Sequence, residues 1–446
     1  MKDKINILII LIGLSIGAIG AKFGLSIAVA LICLLLLGAV ILLDYEKTVI
    51  LLGIYVFIDY LIRNIGGLAV LSGIWDELMF LGFIVIFIYK LIRYRKNVNY
   101  KWTPLDFPII FFVLVGIFLV LVNSPNISIA IEGLRAVVQY ILWYFLVVQL
   151  VDTTKGVLKV YWVLTSVGTI LGLHGIYQYI AKVEMLGNWV DSGEAITTRA
   201  FSIVGSPNIL GAIFVLFIPM GMALVTSDKN YIRKFVAACM VLVMAGGLFA
   251  TMSRGAWLSA AFAIAVYIFY KNKKLILPLI LCGCLAIIVI PSLSSRFTYM
   301  FTDEYRYKSS KGGRIYRWSE GIETWSENNK ALGLGLGRYG GAVATNNKLS
   351  PFYIDNYYVK TLAEMGLIGL GAFILLLICV IRWCSMAIKE ESDNRKRDLM
   401  MGLFAGALGV IAQNGVENVF EVPLMVTYFW LCIGLIMVLK MEKVDG

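Results

Sequence analysis

Charged residues are scarce in this chain of 446 residues: Asp, Glu, Lys and Arg make up only 15% of it, whereas hydrophobic residues make up 60%. A water-soluble domain of this size carries far more charge. The mean hydropathy of +0.85 confirms the imbalance, so the lipid bilayer is the expected solvent. The net charge of +11 does not indicate a nucleic-acid partner, because membrane proteins concentrate Lys and Arg in their cytoplasmic loops.

Motifs for metals and cofactors are also missing. The single histidine, His174, cannot form a metal site alone, and the seven cysteines fall in apolar stretches where we expect them to be small buried hydrophobes. The sequence contains no Cys/His cluster, P-loop or Ser-His-Asp arrangement, so we expect neither a metal nor a cofactor. His174 is expected to be a hydrogen-bonded residue inside a helix bundle. The Gly333–Gly341 string contains GxGxxG but lacks a surrounding βαβ unit, and we interpret it as a turn that lets backbone approach a ligand closely.

Long apolar runs dominate what remains. A hydrocarbon core of ~30 Å requires runs of about 17–25 apolar residues. The sequence predicts an all-α polytopic transmembrane bundle of about fourteen spans (12–14) with a large, partly helical extracytoplasmic loop. Residues 1–293 hold about eleven spans, 294–357 form the loop and 358–446 hold about three. The expected spans are 5–20, 24–43, 48–62, 76–92, 106–122, 136–151, 158–180, 207–226, 235–251, 256–270, 275–293, 358–382, 400–416 and 424–440.

Basic residues in the short connections predict the orientation. If the spans alternate, the strongly basic segments fall on one side, which is the cytoplasm by the positive-inside rule; they are 90–96, 229–234, 271–274 and 382–397. Both termini, with Lys2, Lys4 and Lys440, fall there as well. We therefore expect a bacterial inner-membrane protein whose active site is extracytoplasmic.

The long loop 294–357 is predicted to contain a helix, because Ile315, Trp318, Ile322 and Trp325 recur at helical spacing. Two interpretations remain open. The helix lies at the membrane surface with its Trp side chains at headgroup depth, or it packs on its own loop.

Arginines occur on the expected external side, where cations are disfavoured. Arg254 is the most informative, since it lies in a tight hairpin near bilayer depth, where a cation is costly and tends to be functional. Snorkelling to the interface or pairing with a carboxylate is the alternative. Guanidinium groups bind phosphate bidentately. Converging arginines therefore indicate an anionic ligand, and a lipid-linked phosphate is the obvious candidate; the others expected to contribute are Arg199, Arg314, Arg317 and Arg338.

Carboxylates complete the candidate site. Asp355 opens a span, so it could cap the helix N-terminus or act as a general base on a hydroxyl. Glu364 lies about two turns into the same span and needs a partner, for which an arginine is one possibility. Glu417 and Glu421 flank the last external turn and could line the same cavity.

Four segments resemble the O-antigen ligase and O-antigen polymerase superfamily over roughly residues 195–375. They are Arg199-Ala-Phe-Ser-Ile-Val-Gly-Ser-Pro-Asn208; Ser253-Arg-Gly-Ala-Trp257; Gly313-Arg-Ile-Tyr-Arg-Trp-Ser running on to Gly333–Tyr339; and Asp355-Asn-Tyr-Tyr through Glu364-Met-Gly-Leu-Ile-Gly369. The resemblance implies a metal-independent glycosyltransferase of cell-surface polysaccharide biosynthesis. Its donor is an undecaprenyl-pyrophosphate-linked oligosaccharide within the membrane lipids, and its acceptor is a glycan.

The resemblance also implies roles for residues. Arg199 and Arg254 match positions that grip the pyrophosphate. Ligases carry a histidine where this chain has Asp355, which favours a polymerase-like relative and makes Asp355, or failing that Glu320 or Glu323, the expected base. An O-antigen-type ligase acting on a lipid, protein or wall acceptor, and a transporter or flippase, remain alternatives.

Overall fold

The computed structural model describes residues 44–64, 72–93, 100–185 and 198–442, and in these ranges the chain is helical without a β-strand. The expected spans 5–20 and 24–43 lie outside the described residues. The helices, in chain order, are α1 (Thr48–Gly53), α2 (Tyr55–Asn64), α3 (Trp75–Arg93), α4 (Asp106–Val122), α5 (Ile127–Val138), α6 (Trp143–Leu150), α7 (Thr154–Ile180), α8 (Pro207–Ser227), α9 (Tyr231–Ala250), α10 (Arg254–Asn272), α11 (Ile276–Val289), α12 (Pro291–Tyr299), α13 (Asp303–Ser310), α14 (Arg314–Glu327), α15 (Ala342–Asn346), α16 (Tyr357–Glu390), α17 (Asn394–Gln413) and α18 (Pro423–Met441).

Six helices within the described ranges are long and apolar enough to cross a membrane. The first, Ile127–Leu150, runs through α5, a short 3-10 turn and α6, and the others are α7, α8, α9, α16 and α18. Helix α4, with 17 residues, is apolar but shorter. The chain is therefore a multi-pass helical membrane protein, and the count of about fourteen spans stays a prediction.

Helices α8 and α18 form the centre of the bundle, since 83% and 89% of their most apolar windows are buried. Helix α17 approaches α8 through glycines. A Cβ added at Gly406 would lie 2.2 Å from the Leu216 carbonyl oxygen, and one at Gly402 would lie 2.8 Å from that of Pro219. Small residues allow helix backbones to approach closely inside a membrane. The outer helices instead expose apolar side chains such as Leu242 of α9, which is 72% exposed.

The basic segments meet at one end of the bundle. There, Lys90 pairs with Asp152 at 2.7 Å, Lys271 with Asp398 at 2.6 Å, and Lys396 with Glu442 at 2.9 Å. Glu442 also accepts a hydrogen bond from the Thr154 backbone amide, which joins the end of α18 to the start of α7. These basic connections therefore lie at the same end of the bundle, as the sequence predicted. The opposite end carries the long 291–356 connection.

Helix α16, which corresponds to the expected span 358–382, is longer than predicted and is interrupted at Gly366, where φ is 62° and ψ is −164°. The amides of Leu367 and Ile368, which lose their helical partners at this break, donate to the carbonyls of Lys330 and Ala331 at 3.0 and 3.1 Å. Irregular backbone within a membrane protein is tolerated where other protein groups satisfy it.

The Gly-rich string docks on this break. The amides of Leu334 and Gly335 donate to the carbonyls of Ala363 and Glu364 at 2.8 and 3.0 Å. A Cβ added at Gly333, where φ is 74°, would lie 2.6 Å from the Glu364 carbonyl oxygen. We predicted that these glycines let backbone approach a ligand. For Gly333 this is wrong, because Gly333 approaches the backbone of α16.

Candidate functional site

The segment before α8 is tied to two other connections at the end away from the lysines. Arg199, which is 6% exposed, donates from Nε to the Thr251 carbonyl at 3.0 Å and from Nη2 to Oδ1 of Asn208 at 2.9 Å. The Nδ2 of Asn208 donates to Oε2 of Glu417 at 2.6 Å, and the hydroxyl of Ser253 donates to Asn208 Oδ1 at 2.9 Å. One asparagine therefore holds an arginine and a carboxylate in place.

Asp355 is not the cap of α16. The cap is Asn356, whose Oδ1 accepts from the amides of Tyr358 and Val359 at 3.0 and 3.1 Å. Asn caps as well as Asp does, so local rules could not distinguish the two neighbours. Asp355 is left with a carboxylate that is free to meet side chains from α14.

Arg314 and Arg317 supply those partners. They lie three residues apart at the start of α14 and so share one face of the helix. The Nε of Arg314 lies 3.6 Å from Asp355 Oδ2, and Nη1 of Arg317 lies 3.3 Å from the same oxygen. Arg314 also reaches Glu417, with Nη2 at 3.4 Å from Oε2. Arg314 therefore bridges the two carboxylates and links the long connection to the turn before α18.

The predicted amphipathic helix is α14, and its tryptophans pack on protein. The indole of Trp318 donates to the Asp355 carbonyl at 3.3 Å, and that of Trp325 donates to the Lys330 carbonyl at 3.0 Å. Ile315 and Ile322 are 54% and 48% exposed. The tryptophan side of α14 therefore packs on its own loop and on the residues just before α16, which is the second of the two interpretations left open by the sequence. This packing holds Arg314 over the carboxylates.

Arg199 and the carboxylates of Asp355 and Glu417 line a cavity of about 510 Å³, and Arg314 and Arg317 contact those carboxylates without being among its lining residues. Its walls come from the segment before α8, the start of α8, the end of the long connection and the turn before α18; the polar side chains include Arg199, Asn208, Asp355, Glu417 and Glu421. We call it the arginine cavity. Four of these five are candidates by residue type and position in the sequence, whereas Asn208 is marked only by the motif that contains it.

Arg254 lines an adjoining cavity of about 220 Å³, which Arg314 also lines. Arg254 is the first residue of α10; its Nη1 donates to the Arg296 carbonyl at 3.1 Å, and its guanidinium lies 5.1 Å from the centre of the Tyr305 ring. The N-terminus of α10 adds a partial positive charge at the same place. Arg314 therefore connects the two cavities and the two arginine groups.

Burial perturbs the ionisable groups of the arginine cavity. Burial, together with the charge of Asp355, raises the pKa of the Glu417 carboxyl to about 7, against the opposing charges of Arg314 and Arg199. Burial lowers the pKa of the Arg199 guanidinium to about 10, helped by the positive charges of Arg314 and Arg254. Perturbed groups that converge on a cavity are typical of functional sites.

A buried charge cluster lies beside this cavity. Lys360 Nζ is 2.7 Å from Glu364 Oε2 and 3.0 Å from Glu421 Oε2, and all three side chains are at most 5% exposed. Glu364 and Glu421 also accept the backbone amides of Tyr339 and Ala342, both at 2.9 Å. The partner of Glu364 is therefore a lysine and not the arginine considered from the sequence, and the i, i+4 spacing of Lys360 and Glu364 is the sequence signal that could have found it.

Three expected site residues lie elsewhere. Glu320 and Glu323 line neither of these two cavities, and their charges act on Tyr316, whose pKa they raise. Arg338 lies within the Gly-rich string, and its buried Nε makes no hydrogen bond with any described residue. His174 is hydrogen-bonded, as expected, with Nδ1 at 3.0 Å from the Ser202 hydroxyl. Within the described ranges, no group of three His, Cys, Asp or Glu side chains is arranged to hold a metal ion.

A family model matches part of the chain. Residues 239–374 match the family model described as O-antigen ligase. No curated protein matches the chain. The matched segment begins in α9 and ends in α16, so it contains Arg254, Arg314, Arg317 and Asp355.

Proposed function

We propose that this chain, of which residues 239–374 match the family described as O-antigen ligase, is a member of the O-antigen ligase and O-antigen polymerase superfamily that transfers an undecaprenyl-pyrophosphate-linked glycan to an acceptor sugar. The transfer takes place on the extracytoplasmic side of a bacterial inner membrane. The positions of the charges support this orientation, since the lysine-paired end is the one expected in the cytoplasm and the arginine cavity lies at the opposite end. The product is a cell-surface polysaccharide.

The observation that carries the proposal is the excess of arginine around two carboxylates. Four arginines surround the carboxylates of Asp355 and Glu417; they are Arg199, Arg254, Arg314 and Arg317. The third carboxylate of the arginine cavity, Glu421, is paired with Lys360 at 3.0 Å, so the arginines outnumber the carboxylates that remain to them, which suits the two negative charges of a pyrophosphate diester. Guanidinium groups bind phosphate oxygens bidentately. The arginines stabilise the charge that develops as the pyrophosphate leaves, and the polyprenyl chain lies against the apolar helices.

The chemistry is one direct displacement. The acceptor hydroxyl oxygen bonds to the anomeric carbon, the bond from that carbon to the pyrophosphate oxygen breaks, and the hydroxyl proton passes to a carboxylate. Undecaprenyl pyrophosphate is the leaving group, and the anomeric configuration inverts. No step requires a metal ion.

Asp355 is the first candidate for the proton acceptor. Its carboxylate is paired with Arg314 and Arg317, and donor phosphates that compete for these guanidiniums release it when the donor binds. Glu417 is the second candidate, because a base whose pKa is about 7 is matched to neutral pH. Neither Glu320 nor Glu323 lines the arginine cavity, so we rank them behind these two.

A transporter is the second candidate function, because the break in α16 at Gly366 resembles the discontinuous helices that form transporter sites. A reconstituted assay distinguishes the two. Purified protein in liposomes receives the lipid-linked oligosaccharide of its own strain, and products are resolved by size. We expect wild type and the control Arg306→Ala, an arginine that is 71% exposed, to transfer glycan, and Arg314→Ala to lose transfer.

A ladder of products identifies a polymerase, whereas a single addition to a lipid, protein or wall acceptor identifies a ligase. Movement of the donor across the bilayer without any new glycosidic bond contradicts the enzyme and supports the transporter. Equal loss of transfer in Arg306→Ala and Arg314→Ala contradicts the assignment of the arginine cavity.

A further inference from the structure

A second cavity, of about 680 Å³, lies beside the arginine cavity. Val422 and Pro423, at the start of α18, line both cavities, so the two share a wall. The remaining walls come from α2, the end of α7 and residues 201–205. The function proposed above uses no residue of this second cavity.

One segment separates the two cavities. Residues 199 and 206–209 line the arginine cavity, whereas 201–205 line the second cavity. Oε1 of Gln178 accepts the amides of Phe201 and Ser202 at 3.0 and 2.7 Å. Ser202 has a φ of 49°, which is unusual for a residue other than glycine, and its hydroxyl is held by His174. Backbone kept in such a conformation by surrounding groups tends to occur at binding sites.

The lining of the second cavity differs chemically from that of the arginine cavity. Among the described residues that line it, the one acidic side chain, Asp59, is paired with the one basic side chain, Arg63, at 2.7 Å, so their charges cancel. The other polar groups include the side-chain amides of Asn64 and Gln178 and the imidazole ring of His174. A cavity without net charge suits an uncharged ligand, and planar amide, carboxylate and guanidinium groups offer both donors and acceptors to hydroxyls.

Aromatic rings complete the lining. Tyr55 and Tyr60 of α2 line this cavity, and Tyr60 is 41% exposed. Tyrosine combines an apolar face with a polar tip, which fits a sugar ring, since sugars present C–H faces as well as hydroxyls. A volume of about 680 Å³ falls within the range of small-molecule sites, about 300–1,000 Å³.

We propose that this second cavity binds the acceptor glycan, as an uncharged sugar chain of one to a few residues. The assignment rests on the proposed function, because it places the second substrate of the same reaction. A sugar seated against Tyr60 and His174 reaches the arginine cavity past the shared wall at Val422 and Pro423. The acceptor hydroxyl of that sugar then lies in the arginine cavity, near Asp355 and Glu417.

Binding and transfer are measured separately. The probe is the oligosaccharide released from the strain's own lipid-linked donor by mild acid, which carries no pyrophosphate, and its binding to detergent-solubilised full-length protein is followed by saturation-transfer NMR. We expect Tyr60→Ala and His174→Ala to weaken this binding about tenfold, as the loss of one good contact of ~1.4 kcal/mol implies. We expect both variants to bind intact donor as wild type does, which also shows that they fold.

Arg314→Ala, which removes the guanidinium that contacts Asp355 and Glu417 of the arginine cavity, is the matched control, and it should bind the oligosaccharide normally while binding donor poorly. Failure of wild type to bind the oligosaccharide, or equal affinity in wild type and both second-cavity variants, overturns the assignment. Weaker donor binding in Tyr60→Ala overturns it too, because the cavity then holds the donor's own glycan. Normal oligosaccharide binding without any transfer instead contradicts the proposed function alone.

Discussion

Protonation of Glu417 should control how tightly the donor binds. Its carboxyl lies in the arginine cavity with a pKa raised to about 7 by burial and by the charge of Asp355. Below that pH the cavity carries one negative charge fewer. A donor with two negative charges is therefore favoured at low pH, and by linkage the bound donor raises the pKa of Glu417 still further.

The expected size follows from the shift itself. A rise from the ordinary value of 4.5 to about 7 corresponds to about 3 kcal/mol of differential interaction. Asp355, with one negative charge, supplies part of that shift. A bound pyrophosphate diester should act at least as strongly as one neighbouring carboxylate, so we expect a further rise on the order of one unit. One unit is about 1.4 kcal/mol, or a tenfold change in the dissociation constant.

The assay is calorimetric titration of full-length protein in nanodiscs with a glycan-linked undecaprenyl pyrophosphate diester, whose phosphates stay ionised throughout. We expect the dissociation constant to rise about fivefold between about pH 6 and about pH 8 in wild type, and to approach the full tenfold change only over a wider pH range. The matched control Glu327→Gln, at the exposed end of α14, should keep this dependence, and Glu417→Gln should remove it. Asp355→Asn should move the transition to lower pH. A pH dependence that persists in Glu417→Gln refutes the reasoning.

Three further substitutions test the rest of the structure. Arg199→Lys should lower the transfer rate about 10²-fold, because one ammonium cannot reproduce a bidentate phosphate contact; an unchanged rate in the liposome assay would exclude Arg199 from donor binding. Lys360→Met should destabilise the fold by about 3–5 kcal/mol, since it leaves two buried carboxylates without a cation, and a thermal unfolding midpoint equal to wild type would contradict this. Gly406→Leu should prevent α17 from packing on α8, which is checked by comparing the yield of monodisperse protein with that of Gly371→Leu, where a Cβ meets no atom within 4 Å.

The sequence was sufficient for features that depend on one stretch of chain. Long apolar runs predict membrane helices because the bilayer requires apolar side chains and a segment long enough to cross it. Helices α7, α8 and α18 lie close to the expected spans 158–180, 207–226 and 424–440. The spacing of Ile315 and Trp318 predicted α14 for the same local reason. The arginines and Asp355 were named because their residue types suit phosphate and proton transfer.

Only the tertiary structure decided which of these residues meet. Asn356 rather than Asp355 caps α16, and Asp355 faces Arg317 from the long connection. Asn208 and Glu417 share a hydrogen bond across 209 residues of sequence, and that contact helps to place Glu417 in the arginine cavity. A helical period specifies which face a side chain occupies but not what lies opposite that face. The partner, the burial and hence the pKa of a charged group follow from the packing of distant segments, which no local pattern contains.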